Sequence, residues 1–176
     1  MSTVLLAGRR PDPEDADAAR FPIGNALVVR ERIRALVSER QPARIVCSAA
    51  CGADLLALDI AGDLGIERHV VLPFAVQAFR ASSVADRPGE WGVLFDRIIR
   101  EVEASGSLTV LDEAAGSDEA YAAVNGRLLN IASRASGPLL AVAVWEGKPR
   151  GDGDLTAHLI ESASKAGAEV VTVLTR

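Results

Sequence analysis

The sequence predicts an α/β fold in three layers, with helices on both faces of a mainly parallel sheet of about six strands. Three observations carry that prediction. Short aliphatic and β-branched runs alternate about six times with longer amphipathic stretches, and the connections between them are short. The longest apolar run, Pro138 to Trp145 (PLLAVAVW), has no polar face, as a strand covered on both sides by helices requires. At 176 residues the chain is read as one domain spanning 1–176, long enough to bury a sizeable core.

Each element has its own warrant. Thr3 to Ala7 is an apolar strand that meets Gly8-Arg9-Arg10. Ligands of open parallel sheets sit beyond the carboxyl ends of the strands, so Gly8 and Arg9 are candidate contacts, with Arg10 behind them. The competing reading is a solvated pair of arginines beside the acidic, proline-bearing loop of Asp12, Glu14, Asp15 and Asp17. From Phe21 the pattern is helical, with Leu27, Val28, Ile33, Leu36 and Val37 on one side, until Pro42 ends it.

The chain is organised around the next strand, Arg44 to Cys47, and the helix that Gly65 stops. Between them Ser48, Ala49, Ala50, Cys51, Gly52 and Ala53 leave the backbone nearly bare, with Asp54 following. The first amides of a helix lack internal partners and carry the positive end of its dipole, so Cys51, Gly52, Ala53 and Asp54 are candidate anion contacts. Close packing of helix on strand explains the same small residues equally well.

Arg68 to Leu72 is the third strand, in which His69 is read as structural, with no orienting partner in its neighbourhood. Past it, Arg80 with Ser82 and Ser83 offers directed donors for a phosphate, or a loop and cap. Trp91, Leu94, Phe95, Ile98, Ile99 and Val102 recur at helical spacing from Pro88 to Ala104 as a core stripe. Leu108 to Leu111 is a strand, and Asp118 to Ala135 a helix that Asn125 and Asn130 interrupt; asparagine is a mediocre helix former, which makes the Asn125 amide a candidate contact. After Trp145 a glycine-rich loop leads into a helix ending at Gly167. It is a second phosphate-loop candidate through Gly153, Thr156 and the N-cap Asp154, weakened because Asp152 and Asp154 compete with an anion for one positive pole. Glu169 to Leu174 is the last strand.

Composition narrows the function classes. Hydrophobic residues make up 49% of the chain and charged residues 24%, an ordinary globular balance. The net charge of −5 argues against a nucleic-acid groove, which neutralises phosphates with a basic surface. No run approaches a membrane span and no leader pattern opens the chain, so the expected location is cytoplasmic. Cys47 and Cys51 are spaced C-x3-C, and with His69 and His158 as the only histidines no zinc set or redox pair is predicted; no metal or cofactor is expected.

Taken together, the chain resembles the SLOG superfamily of Rossmann-like domains, which groups the LOG phosphoribohydrolases, DprA-type DNA-processing proteins and bacterial nucleotide-sensing domains. It is most like the sensor-like bacterial members. The resemblance rests on Ala7 to Asp12 with Arg20-Phe21-Pro22, on Ala50 to Asp54, on Leu72-Pro73-Phe74 with Phe79 and Ser83-Val84, on Trp91 with Phe95, on Asn125, and on Trp145-Glu146-Gly147 with Gly153 to Thr156. These segments cover nearly the whole chain. The resemblance implies a nucleotide or nucleotide-derived ligand held by glycine loops at the carboxyl edge of the sheet.

LOG enzymes carry P-G-G-x-G-T-x-x-E, whose glutamate supports cleavage of the base–ribose bond. Here the matching segment is Gly151 to Leu159, with Leu159 in place of the glutamate and Leu155 in place of the glycine before Thr156. Glu161 lies two residues further, about 200° round a helix, and points elsewhere. The expected function is therefore binding of a nucleotide-like small molecule by a sensor or regulatory domain. Hydrolysis of a nucleoside monophosphate by Glu146, Asp152 or Asp154 is the alternative, and a ligand-free interaction scaffold the third; a homo-oligomer is left open. The expected phosphate contacts are Gly8, Arg9, Gly52, Gly153 and Thr156, with Arg80 supplying charge. Arg9 is expected to face the crevice beside the amides of Gly52 and Ala53, or else to pair on the surface with Asp12 or Asp15.

Overall fold

The computed structural model describes residues 1–176. Six strands, β1 (Thr3–Gly8), β2 (Arg44–Cys47), β3 (Glu67–Leu72), β4 (Leu108–Val110), β5 (Leu139–Trp145) and β6 (Glu169–Leu174), form one sheet in the order β4-β3-β2-β1-β5-β6. Every neighbouring pair is parallel, and the two longest ladders run from Thr3 against Leu139 to Gly8 against Val144 and from Leu140 against Glu169 to Trp145 against Leu174. Six α-helices connect them: α1 (Ala26–Arg40), α2 (Ala53–Asp63), α3 (Val76–Ser83), α4 (Trp91–Ala104), α5 (Asp118–Arg134) and α6 (Leu155–Lys165).

Alternation along the strands divides the core in two. Val4 and Leu6, Ile45 and Cys47, Val70 and Leu72, and Leu140, Val142 and Val144 point to the face covered by α1, α2 and α4. The residues between them, Leu5, Val46, Val71, Ala141 and Ala143, meet α5 and α6. A period of two with both faces buried is what a doubly covered parallel sheet demands. The alanines of β5 let α6 lie close to the strand.

The chain builds outward from β1 through β2 and β3 to β4, then crosses through α5 to β5 on the other side of β1. Loops leaving β1 and β5 therefore diverge, and the strand order reverses between them. Open α/β sheets bind ligands in the crevice that this reversal creates.

Two local expectations are corrected. The Phe74–Val84 segment contains the short helix α3 rather than only a loop. Leu27 and Val28, placed on the core side of α1 by pattern, are 77% and 50% exposed, because the buried stripe is Val29, Ile33 and Val37 at four-residue spacing. Gln41, at φ 43°, turns the chain out of α1 in a left-handed conformation ahead of Pro42. His69 is bonded through Nε2 to Thr109 Oγ1 on the adjacent strand at 3.1 Å. No helix is long and apolar enough to cross a membrane.

Candidate functional site

A crevice of about 710 Å³ opens at the carboxyl ends of β1, β2 and β5. The β1 loop forms one side. The facing wall is one side of α5, where Tyr121, Val124, Asn125 and Leu128 recur at helical spacing, joined by Leu159 of α6. Ser48, Ala50 and Asp54 border it from the β2–α2 turn, Phe79, Ser83 and Arg87 from α3 and the segment after it, and Arg150, Gly153 and Thr156 from the β5–α6 loop. Ser83 Oγ meets Tyr121 OH at 3.4 Å across the crevice, and Asn125 Nδ2 donates to Leu155 O at 3.0 Å, tying α5 to the start of α6.

Arg9 lies at this edge, but its donors are committed elsewhere. Nε donates to Glu146 Oε2 at 2.7 Å, Nη1 to Asp154 Oδ1 at 2.8 Å, and Nη2 to Glu146 Oε1 at 3.2 Å and Lys148 O at 3.0 Å. Nη2 also stands 2.7 Å from Asp154 Oδ2, and the guanidinium lies 5.5 Å from the centre of the Trp145 ring. The three charged side chains are 3%, 2% and 0% exposed. Burial pushes the Asp154 carboxyl up, but the Arg9 bond and charge, with the amides of Arg150 and Ala157, outweigh it and hold it at about 2. Neither expected role for Arg9 describes this buried ion pair: it lines the crevice while its guanidinium faces two carboxylates, and neither Asp12 nor Asp15 is its partner.

Groups of the protein itself bond amides at both predicted positive poles. At α2, Arg9 O accepts from Ala53 N at 3.1 Å and Ser83 O from Cys51 N at 3.0 Å. Gly52 has φ 91°, and a Cβ there would stand 2.7 Å from Arg9 O and 2.8 Å from Pro11 Cδ. A Cβ on Gly8 would meet Ala53 Cβ and come within 2.7 Å of Val144 O. These glycines let the β1 loop lie across the first turn of α2. At α6, Asp154 Oδ1 accepts from Thr156 N at 3.0 Å and Ala157 N at 3.3 Å, so a carboxylate of the chain fills the place where an anion would sit.

Of the expected contacts, Gly8, Arg9, Asp54, Ser83, Asn125, Gly153 and Thr156 border the crevice; Cys51, Gly52, Ala53, Asp154 and Arg80 do not. Arg80 is drawn away by a bidentate bond to Asp96 on α4, at 2.8 and 2.9 Å. Burial pushes the Cys51 thiol up to about 11 and Cys47 well above its usual range, so neither is a nucleophile. Glu146 and Asp154 are pinned by Arg9, and Glu161 bonds Lys165 on the outer side of α6 at 2.6 Å.

Arg20, Arg87, Arg150 and Tyr121 also border the crevice, although no sequence pattern marked them as contacts, and Arg10 borders it beside Arg9. The signal for Tyr121 is its register with Val124, Asn125 and Leu128 on α5. Arg10 is paired with Asp86 at 2.8 Å, and Arg87 donates to Pro11 O at 3.1 Å. Arg150 Nε is 3.8 Å from Asp154 Oδ2, beyond hydrogen-bond length. Burial and the positive charge of Arg9 pull the Arg150 guanidinium below its ordinary range.

Asp54 is the remaining buried acid. It is 8% exposed and borders the crevice, and its Oδ2 accepts from Ala50 N at 3.2 Å. Burial pushes its carboxyl up to about 7, against the opposing pull of that amide and of Arg10.

No family model matches the chain, and no curated protein matches it. Among solved structures, DNA processing protein A (DprA) from Streptococcus pneumoniae superposes with a TM-score of 0.56 at 18% sequence identity, covering 97% of this chain and 50% of that one. The chain thus spans half the length of that neighbour. At this level of identity the likeness is one of fold, and the architecture of this chain is Rossmann-like α/β, similar to that of DprA.

Proposed function

We propose that the crevice between β1 and β5 binds a nucleotide or nucleotide-derived small molecule. The observation that carries the reading is Arg150, a cation at the crevice whose nearest carboxylate lies beyond hydrogen-bond length and whose surroundings already hold the charge of Arg9. The Arg150 side chain is 47% exposed and so open to an anion, which would offset the repulsion from Arg9. The rest of the lining suits the remainder of such a ligand. Tyr121, partly exposed, offers an aromatic face to a planar ring, and Ser48, Ser83, Asn125 and Thr156 offer neutral hydrogen-bonding groups for a sugar. The volume is also in the range of small-molecule sites, about 300–1,000 Å³. In this reading Gly8 and Gly52 shape the loops and Gly153 gives the ligand access to backbone, while Arg150 replaces Arg9 and Arg80 as the phosphate contact.

Calorimetric titration of nucleoside mono-, di- and triphosphates and cyclic dinucleotides tests this, with inorganic phosphate as the control. At least one nucleotide is expected to bind, and at a hundred times its dissociation constant to stabilise the fold by about 2.7 kcal/mol. Arg150→Ala should weaken it by roughly ten- to a hundredfold, the equivalent of about 1.5–3 kcal/mol for a charge-assisted bond. No binding across the panel, or unchanged affinity in Arg150→Ala, overturns the reading.

A further inference from the structure

We propose that Asp54 selects the base of the bound nucleotide, its carboxylate accepting the paired N–H donors of a guanine ring edge. The inference rests on the nucleotide reading above and adds to it the identity of the base. Asp54 is more than nine-tenths buried and still borders the crevice. Only Oδ2 has a partner in the protein, the Ala50 amide, so Oδ1 and the second lone pair of Oδ2 are left for a ligand.

A carboxylate only accepts hydrogen bonds, and it accepts two in parallel. Guanine presents N1–H and the N2 amino group side by side. Adenine and cytosine place a ring acceptor beside their amino group, and uracil flanks its one N–H with carbonyls. Guanine therefore matches an ionised carboxylate with two bonds where the others offer one or a repulsive contact. With the base held at Asp54, the phosphate extends toward the cations of the same crevice.

Binding in this mode requires the ionised carboxylate. Burial opposes ionisation in the free protein, whereas the Ala50 amide and Arg10, on the loop after β1, favour it. Cys47, behind it on β2, is a neutral thiol. On the facing elements stand Arg87 after α3, Asp118 and Tyr121 on α5, and Arg150 before α6. Asp12, Asp15, Asp17 and Arg20 complete the charged lining on the β1 loop. Guanine donors replace the missing hydration and draw the proton off, so ligand uptake releases a proton.

The test is calorimetry of the full chain with GMP, IMP and AMP from pH 5.5 to 8.5, in two buffers of different protonation enthalpy. GMP should bind at least about tenfold more tightly than AMP, and IMP, which keeps N1–H but lacks the amino group, should fall between them. Affinity for GMP should rise with pH by up to about tenfold per unit and level off once Asp54 is ionised in the free protein, with proton release on the rising limb. Asp54→Asn should flatten that profile and bring GMP and IMP together. AMP binding as tightly as GMP, absence of proton release in the wild type, or an unchanged profile in Asp54→Asn overturns the inference and leaves the nucleotide reading standing. Proton release is read on the wild type, so the test survives a variant that does not fold. Binding of no nucleotide at all overturns both.

Discussion

Arg9 joins the end of β1 to both ends of the β5–α6 loop. Its side chain leaves the end of β1, grips Glu146 just past β5, and holds the carboxylate that caps α6. Removing it leaves two buried carboxylates without their common partner, and breaking a buried pair costs about 3–5 kcal/mol. In a chain of this length each kcal/mol is worth about 2–4 °C, so Arg9→Ala should lower the melting temperature by roughly 6 °C or more in a thermal scan. Arg9→Lys should recover only part of the loss, because an ammonium cannot bridge two carboxylates through a planar fork. A melting temperature unchanged in Arg9→Ala would show that Arg150 and Arg20 compensate both acids.

At the scale of elements, the turn from β2 into α2 is where packing and ligand chemistry compete for the same small residues. Packing holds the first amide of α2: Ala53 N donates to Arg9 O, and Gly52 has no room for a side chain. Gly52→Ala would place a methyl group against backbone in a left-handed conformation that L-residues avoid, a cost of about 1–3 kcal/mol for the strained conformation alone. Urea denaturation should show that loss, and nucleotide affinity, read on the folded fraction, should change far less than in Arg150→Ala. The mouth of α6 follows the same logic, with the Asp154 carboxylate taking the pole that a phosphate loop would leave open.

At the scale of the whole molecule, two acids displaced in opposite directions shape the dependence of stability on pH. The carboxyl of Asp154 is lowered to about 2 in the fold, so its contribution is present above the ordinary carboxylate range and lost as pH falls from about 4 toward 2. The carboxyl of Asp54 is raised to about 7, so its contribution is present below the ordinary range and lost as pH rises from about 4 to 7. Stability should therefore peak on the acidic side of neutrality and decline toward pH 7, by up to about 4 kcal/mol, since each pH unit across that window is worth about 1.4 kcal/mol. Chemical denaturation of the wild type and Asp54→Asn at pH 5 and pH 8 checks this. The variant should gain on the wild type at pH 8 relative to pH 5; a constant difference between the two would show that Asp54 titrates in its ordinary range. A residue that weakens the fold near neutrality while bordering the crevice is what a ligand contact is expected to look like.

The sequence by itself determined the layers, because hydrophobic periodicity is local. Leu5 between Val4 and Leu6, and the uninterrupted run of β5, already state that both faces of the strands are covered. It also marked the carboxyl edge, through Gly8, Gly52 and Gly153, and it pointed to Asp54, Ser83, Asn125 and Thr156, which border one crevice. What it could not decide is who bonds with whom across 137 or 145 residues of separation, as Arg9 does with Glu146 and Asp154. A free arginine and a neutralised one have the same sequence neighbourhood, since the partner is supplied by strand order and not by spacing. The tertiary structure placed β5 beside β1, and that adjacency commits the Arg9 guanidinium to two carboxylates at the edge of the crevice, where Arg150 also stands. The exposure of Leu27 and Val28 has the same origin, because a helix pattern names a face to within a residue or two and only the packed sheet selects which stripe is buried.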